Sequence, residues 1–182
     1  MTALTLRTAT FDDAELIARL HTQSWQHSYR NILRDDYLDH IAPTERHTLW
    51  TRRFHYDRHL WVLLALWEGE PVGFVCLQPD GETQRGLLLD NLHVLPGQQG
   101  RGIGRALLQA AAAQADRLQA GTPMHLWVYE ANSAARRFYS RMGGEMIDRE
   151  NVMTPDGSKA IALCYCWRQP AMLAAQGVVS EN

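Results

Sequence analysis

A mixed α/β fold, one sheet with helices on both faces, is what this sequence predicts. Three observations carry that expectation. Short apolar runs bounded by turn residues alternate with amphipathic stretches along the chain. Their order is strand, helices, antiparallel strands, then strand–helix–strand–helix–strands, which sets helices against both sides of one sheet. A chain of 182 residues fills one core comfortably and two poorly, and no repeat or low-complexity linker divides it. Residues 1–168 are therefore expected to form a single domain, followed by a C-terminal tail at 169–182.

Residues 3–7 (ALTLR) alternate as a short strand does. Thr10 and Asp13 then resemble a capping box, with Asp in place of the usual Glu. Behind them Ala14, Ile17, Ala18, His21 and Trp25 recur at helical spacing. A second helix is expected between Pro43 and Arg58, because proline suits a helix start. LWVLLALW (60–67) and VGFVCL (72–77) read as a hairpin joined through Glu68-Gly69-Glu70-Pro71. Residues 87–95 form another buried strand, stopped by Pro96-Gly97. Ile103, Leu107, Ala111, Ala115 and Leu118 make one stripe of a helix over 102–119, ended by Gly121 and Pro123. MHLWVYE is a strand, Asn132 opens a short helix and Gly143-Gly144 stops it. Two final strands, EMIDRENVM and AIALCYCW, are joined by Pro155-Asp156-Gly157. The tail carries no clear element and is expected to be mobile or to pack at an interface.

Bulk properties exclude several classes. Hydrophobic residues are 46% and charged residues 21%, the balance of an ordinary globular protein. A net charge of −2 argues against nucleic acid as the main partner. The N-terminus lacks a signal-like apolar segment, and the run at 60–67 is too short to span a bilayer. The three cysteines (Cys76, Cys164, Cys166) are too few for a disulfide framework and suit a reducing, cytoplasmic setting. Six of the eight histidines lie between His21 and His59. His55 and His59 have the i, i+4 spacing of a metal clamp but no third ligand, so a solvated face is expected and no metal site. Arg46, Arg52, Arg53 and Arg58 share the same segment; a wet helix side is the preferred reading.

The stretch QQGRGIGRALL (98–108) is the most informative. A helix N-terminus offers unpaired N–H groups and the positive end of the macrodipole, a ready anion site. Gly100, Gly102 and Gly104 remove side chains that would hold an anion off and permit positive φ. Arg101 and Arg105 add bidentate donors. A P-loop is excluded, since Ile103 and Gly104 stand where Lys and Ser/Thr belong. A dinucleotide fingerprint counted from Gly100 fails at Arg105, where its last Gly belongs.

Gln99-x-x-Gly102-x-Gly104 fits a Q/R-x-x-G-x-G/A signature, and LDNLHVLP stands directly before it. Downstream lies Asn132-x-x-Ala135-x-x-Phe138-Tyr139-x-x-x-Gly143. In that order these motifs resemble the GCN5-related N-acetyltransferases (GNAT), and the resemblance covers residues 3 to 168 in element order. It implies a mostly antiparallel sheet that splays between the strands at 88–95 and 124–130, with the pantetheine arm of acetyl-CoA in the gap. By the same resemblance the backbone of Leu92, His93 and Val94 binds that arm and the thioester oxygen, a bulge freeing their N–H groups. Gln99, Gly100, Arg101, Gly102, Ile103, Gly104 and Arg105 hold the pyrophosphate, while Asn132, Ala135, Phe138 and Arg141 flank the cosubstrate. Asn132 is also a natural N-cap.

The implied activity is transfer of an acetyl group straight to a primary amine of a small molecule or protein. Tyr139 is the expected proton donor: a phenol near pKa 10 stays protonated while a thiolate of parent pKa about 8.5 departs. Deprotonating an alkyl-ammonium at pH 7 costs about 4 to 5 kcal/mol without help. Many family members use a strand glutamate for this, but Leu88 occupies the matching position. Asp90 leads the remaining candidates, ahead of Asn91, His93 and Glu130. Trp25, Tyr29 and Asn91 are the expected substrate contacts, with aromatic faces suited to a cation. No cysteine is expected at the cleft. A non-catalytic acyl-CoA sensor is the alternative function, and the last strands and tail are the expected surface for a homodimer.

Overall fold

The computed structural model describes residues 4–79 and 85–176, and all statements below concern these. Strand β1 (Leu4–Thr8) leads through a one-turn 3₁₀ segment (Phe11–Asp13) into α1 (Ala14–Ser28). A π-helical turn (Tyr37–Ile41) precedes α2 (Ala42–Tyr56). Strands β2 (Trp61–Trp67), β3 (Glu70–Pro79) and β4 (Leu87–Val94) follow, then α3 (Ile103–Leu118), β5 (Met124–Tyr129) and α4 (Ser133–Arg141). Strands β6 (Glu145–Met153) and β7 (Lys159–Trp167) and helix α5 (Pro170–Ala175) complete the order.

These elements make one seven-stranded sheet in the order β1-β2-β3-β4-β5-β7-β6. Every neighbouring pair is antiparallel except β4 and β5. The uninterrupted apolar run of β2 has a simple cause: both faces of the strand are covered. Leu63 and Ala65 join the core around α3, whose Leu107, Leu108, Ala111 and Ala115 are buried. Val62 and Leu64 point the other way, to Ile17 and Leu20 of α1 and Trp50 of α2. The turn from β2 to β3 is tighter than expected, because Trp67 pairs with Glu70 and both intervening residues have positive φ, Glu68 at 52° and Gly69 at 88°. Pro71 sits beside a bulge in β3, where a missing N–H is tolerated.

Two local expectations meet the structure directly. The Thr10 N–H donates to Asp13 Oδ2 at 2.9 Å, and Arg7 grips the same carboxylate with both terminal nitrogens at 2.7 and 2.8 Å. Asn132 Oδ1 accepts the Ala135 N–H at 3.2 Å and caps α4.

Others need correcting. Helix α2 ends at Tyr56, so His55 and His59 do not share a helix face, and both are exposed. The tail does contain an element: Pro170 fixes the first turn of α5, and buried Leu173 inserts it into the main core against α3. Packing therefore continues beyond residue 168; residues 177–182 of that tail lie outside the described segments.

The β6–β7 turn is tied to the loop after α1. Asp156 Oδ2 accepts the backbone N–H of Arg34 at 2.7 Å, and its Oδ1 accepts from Thr154 Oγ1 at 2.6 Å and the Ser158 N–H at 3.0 Å. Burial alone would raise this carboxyl, but those bonds outweigh it and pull it down to about 2.

Candidate active site

Strands β4 and β5 pair only at Leu87–Met124 and Leu88–His125. Beyond that point they separate, leaving a cavity of about 500 Å³ between them that reaches from α1 to α3 and α4. Leu89 pairs with Leu77 and Asn91 with Cys76, so Asp90 is an extra residue on β4. Such a bulge bends a strand and increases its twist. Gly73 helps hold β4 on its other side, because a Cβ there would lie 2.5 Å from the His93 carbonyl.

The bulge thus falls at Asp90, not at Leu92–Val94 as expected. Those three residues pair in register with Val75, Phe74 and Gly73. The Leu95 N–H donates to the Val72 carbonyl at 2.8 Å, which fixes the phase of the strand. Alternation then turns the N–H groups of Leu92 and Val94 toward the gap and that of His93 toward β3. The splaying of the sheet, rather than the bulge, leaves the first two without a strand partner.

At the far end of the gap, Gly100 and Gly102 adopt φ of 79° and 78°, and a Cβ on either would meet only open space. Gly102 caps α3, and the first backbone bond back to it comes from the Ala106 N–H. The N–H groups of Ile103, Gly104 and Arg105 therefore point free of the helix. Gly104 differs from its neighbours: its φ is ordinary, and a Cβ there would touch the Phe138 ring at 3.5 Å. Gln99 folds back, its Nε2 donating to the Val94 carbonyl at 3.4 Å.

The cavity brings together Asp90, Asn91, Leu92, His93, Val94, Gln99, Gly100, Gly102, Gly104 and Arg105 with Asn132, Ala135, Phe138, Tyr139, Arg141 and Tyr29. Three expected residues stand apart. Arg101 stacks its guanidinium over Trp67 at 5.1 Å, and the Ile103 side chain is core. Trp25 is buried with Leu33, Tyr37 and Leu38, and the Arg46 guanidinium lies 4.4 Å from its ring centroid. Ser24, Ser28 and Arg137 also line the cavity and were not expected. Arg137 was legible as the i, i+4 partner of Arg141, whereas nothing local marked Ser24.

Tyr139 is 8% exposed, packed against Tyr165 and Trp167, and burial pushes its phenol well above the ordinary value. Asp90 is less free: its Oδ2 accepts from Arg53 and from Asn91 Nδ2, both at 2.5 Å. Glu130 is engaged by Arg149 at 3.2 Å. All three cysteines are buried, and burial pushes the Cys164 thiol up to about 12, so it carries no nucleophilic thiolate at neutral pH.

A parted β4–β5 pair, a glycine turn opening a helix and a buried tyrosine thus meet at one cavity. The sequence profile described as Acetyltransferase (GNAT) family matches residues 22–144, and the chain belongs to that family. Among its relatives is the Bacillus subtilis "Uncharacterized N-acetyltransferase YuaI", 32% identical over 81% of this chain and 84% of that protein. The Mycobacterium tuberculosis "Probable N-acetyltransferase Rv2775" is 30% identical over 75% of this chain and 76% of its own. The fold is shared with PaiA N-acetyltransferase of Thermoplasma acidophilum, solved with coenzyme A (TM-score 0.69, 21% identity, 88% of this chain and 97% of that one). It is shared too with Salmonella typhimurium YncA, solved with acetyl-CoA (TM-score 0.66, 20% identity, 91% and 93%). The protein is accordingly an N-acetyltransferase.

Proposed function

We propose that the enzyme moves an acetyl group from acetyl-CoA directly to a primary amine of a small molecule or a protein, in a reducing compartment such as the cytoplasm. One observation carries the reading: the free N–H groups at the start of α3 and the buried Tyr139 phenol face the same cavity. The first fits an anion such as the pyrophosphate of acetyl-CoA, because Gly100 and Gly102 leave open space there. Gln99 to Arg105 would hold that group, Arg101 and Ile103 through their backbone, with Arg105, Arg137 and Arg141 adding charge. Asn132, Ala135 and Phe138 would flank the arm. The N–H groups of Leu92 and Val94 would meet the thioester oxygen, where preorganised donors matter most. When bound, acetyl-CoA supplies the activated acyl group.

Tyr139 then supplies the proton that the departing sulfur needs. Its raised pKa keeps it protonated across the working pH range, so sulfur meets a donor and not a phenolate. Tyr29 and Asn91 stand at the acceptor end of the same cavity. Asp90 is the carboxylate that lines the cavity, but its Oδ2 is already taken by Arg53 and Asn91. That same attachment favours the rival reading, a sensor that binds acyl-CoA without turnover.

Thiol release from acetyl-CoA, measured across a panel of amines, separates the two. Release with one amine class, reduced about a hundred-fold or more in Tyr139→Phe, is the expected result. Acetyl-CoA binding with no release above background from any amine would establish the sensor instead.

A further inference from the structure

Ser24 lies on α1 and is 4% exposed, yet it lines the cavity. Its Oγ is 2.8 Å from Nδ1 of His93, a residue 69 positions away on β4 that lines the same cavity. Behind that pair the packing is unusual. The His21 ring stacks on His93 with centroids 4.7 Å apart. Trp50 Nε1–H donates to His21 Nδ1 at 3.0 Å, which fixes the His21 proton on Nε2. That Nε2 is buried without a hydrogen-bond partner among the described residues.

A polar stack of this kind is expensive to bury, because each unmet group forfeits its hydration. Both carboxylates near the cavity are already tied, Asp90 to Arg53 and Glu130 to Arg149. Among the described residues the acceptor end therefore has no carboxylate outside an ion pair, and the neutral groups that line it include the Ser24 hydroxyl and the Asn91 amide.

The charges around the stack point one way. Burial holds the His93 imidazole neutral, pulling its pKa down to about 3, and Arg46 adds to the shift. His21 is held neutral by burial, with His93, Arg46 and Arg53 acting in the same direction. With its one proton on Nε2, a neutral His93 would take the Ser24 hydrogen at Nδ1. The serine oxygen is then left with only lone pairs to offer the cavity.

We propose that Ser24 is the group that receives the acceptor amine: its oxygen accepts a hydrogen bond from the amine N–H, with His93 as the positioning residue that turns it. This rests on the acetyltransferase reading and extends it to the incoming nucleophile. The held N–H aims the nitrogen lone pair at the thioester carbon, where orientation is worth orders of magnitude in rate. Attack forms the N–C bond and the C–S bond breaks. Sulfur takes the proton of Tyr139, and the proton shed by nitrogen returns to that phenolate through solvent, so no net proton is gained or lost. The arrangement suits an amine that arrives neutral with at least one N–H to give. It would disfavour tertiary amines as ligands of the acceptor end.

Two measurements test the pair. In the first, Ser24→Ala, His93→Phe and the double variant are assayed with the amine that wild type acetylates. Each single variant should lose about ten- to a hundred-fold in kcat/KM for the amine while acetyl-CoA affinity holds. Because His93 acts through Ser24, the double variant should lose no more than Ser24→Ala alone. His93→Asn, which retains a side-chain hydrogen-bonding group, should recover part of the loss. Independent, multiplying losses, or a Ser24→Ala enzyme with unchanged kcat/KM, would overturn the proposal. The second needs no turnover: ¹⁵N shifts of the His93 ring in the intact protein should show a neutral imidazole protonated only at Nε2 down to pH 5. Protonation at Nδ1 would overturn the proposal even if acetyl transfer is confirmed. Absence of wild-type turnover would instead remove the reading beneath it.

Discussion

At the end where α3 begins, proposed above to hold the phosphates, the cleft is made of backbone. Gly100 and Gly102 turn through positive φ, and the first N–H groups of α3 face outward, all within a few consecutive residues. At the other end, the proposed acceptor end, the cleft is lined by side chains from separate elements: Ser24 of α1, and Asp90 and His93 of β4, with Arg53 of α2 bonded to Asp90. The first end is local and can be written as a short motif. The second must be assembled by the fold, and it is where individual chemistry enters. Local geometry thus makes the first end, and long-range contacts make the second.

The acceptor end should break first when a side chain is removed. Arg53 reaches Asp90 Oδ2 with side-chain exposures of 19% and 26%, and its guanidinium covers the Trp50 ring at 5.2 Å. Arg53→Met should cost roughly 2 to 3 kcal/mol, less than a fully buried pair because water reaches both partners. Urea unfolding at pH 7 measures it. The same variant also tests Asp90 as a base, since it frees a carboxylate oxygen of a residue that lines the cavity and should change kcat/KM for the amine. An unchanged kcat/KM would leave the amine's proton to solvent.

What could be read in advance follows the same division. The stripe of α3 from Ile103 to Ala115, the glycine turn and the Asn132 cap arise from spacing within one segment, and the structure has them where the spacing puts them; Leu118, expected on the same stripe, is exposed in the last turn. The parting of β4 and β5 was legible only through the family resemblance. The point where the pairing ends, Leu88, has no mark in the sequence. Trp25 shows the limit of periodicity: its place on the apolar stripe of α1 is right, yet the stripe alone could not show that Arg46 and Tyr29 cover the ring and keep it out of the cleft. Ser24 and His93, or Arg34 and Asp156 at a separation of 122, meet only once the chain has folded. Helix α5 was missed because six residues are too few to show a period, and its stability comes from Leu173 in the core.

Acid should also act on the acceptor end before the phosphate end. The folded pKa of His93 is depressed to about 3, against about 6.5 in an unfolded chain. Its contribution to stability is present above pH 6.5 and is lost as pH falls toward 3, because the unfolded chain takes up a proton that the folded one refuses. Between pH 7 and pH 5 this amounts to about 2 kcal/mol from His93 alone, and His21 acts in the same direction. Thermal unfolding across that range should show a steep fall, flattened in His93→Phe. Equal slopes in the two proteins would mean that His93 is charged in the native state.

The proposed phosphate end should respond less in stability and more in binding, and two glycines on either side of Ile103 sharpen that contrast. Gly102 caps α3 at a φ of 78°, so Gly102→Ala should cost about 1 to 2 kcal/mol from the left-handed conformation alone, whatever the space around it. Gly104 sits inside the helix, and an added Cβ would make only an ordinary 3.5 Å contact with Phe138. Gly104→Ala should therefore stabilise the fold by about 0.5 to 1 kcal/mol, the usual gain for alanine in a helix. The position also lines the cleft, so the same methyl should intrude on the cosubstrate and raise the acetyl-CoA Kd about five-fold, some 1 kcal/mol. A higher Tm with weaker binding would show that this glycine serves the ligand at the expense of the helix. A higher Tm with unchanged Kd would show that it serves only the approach of α3 to α4, and that the anion is held by the turn at Gly100 and Gly102.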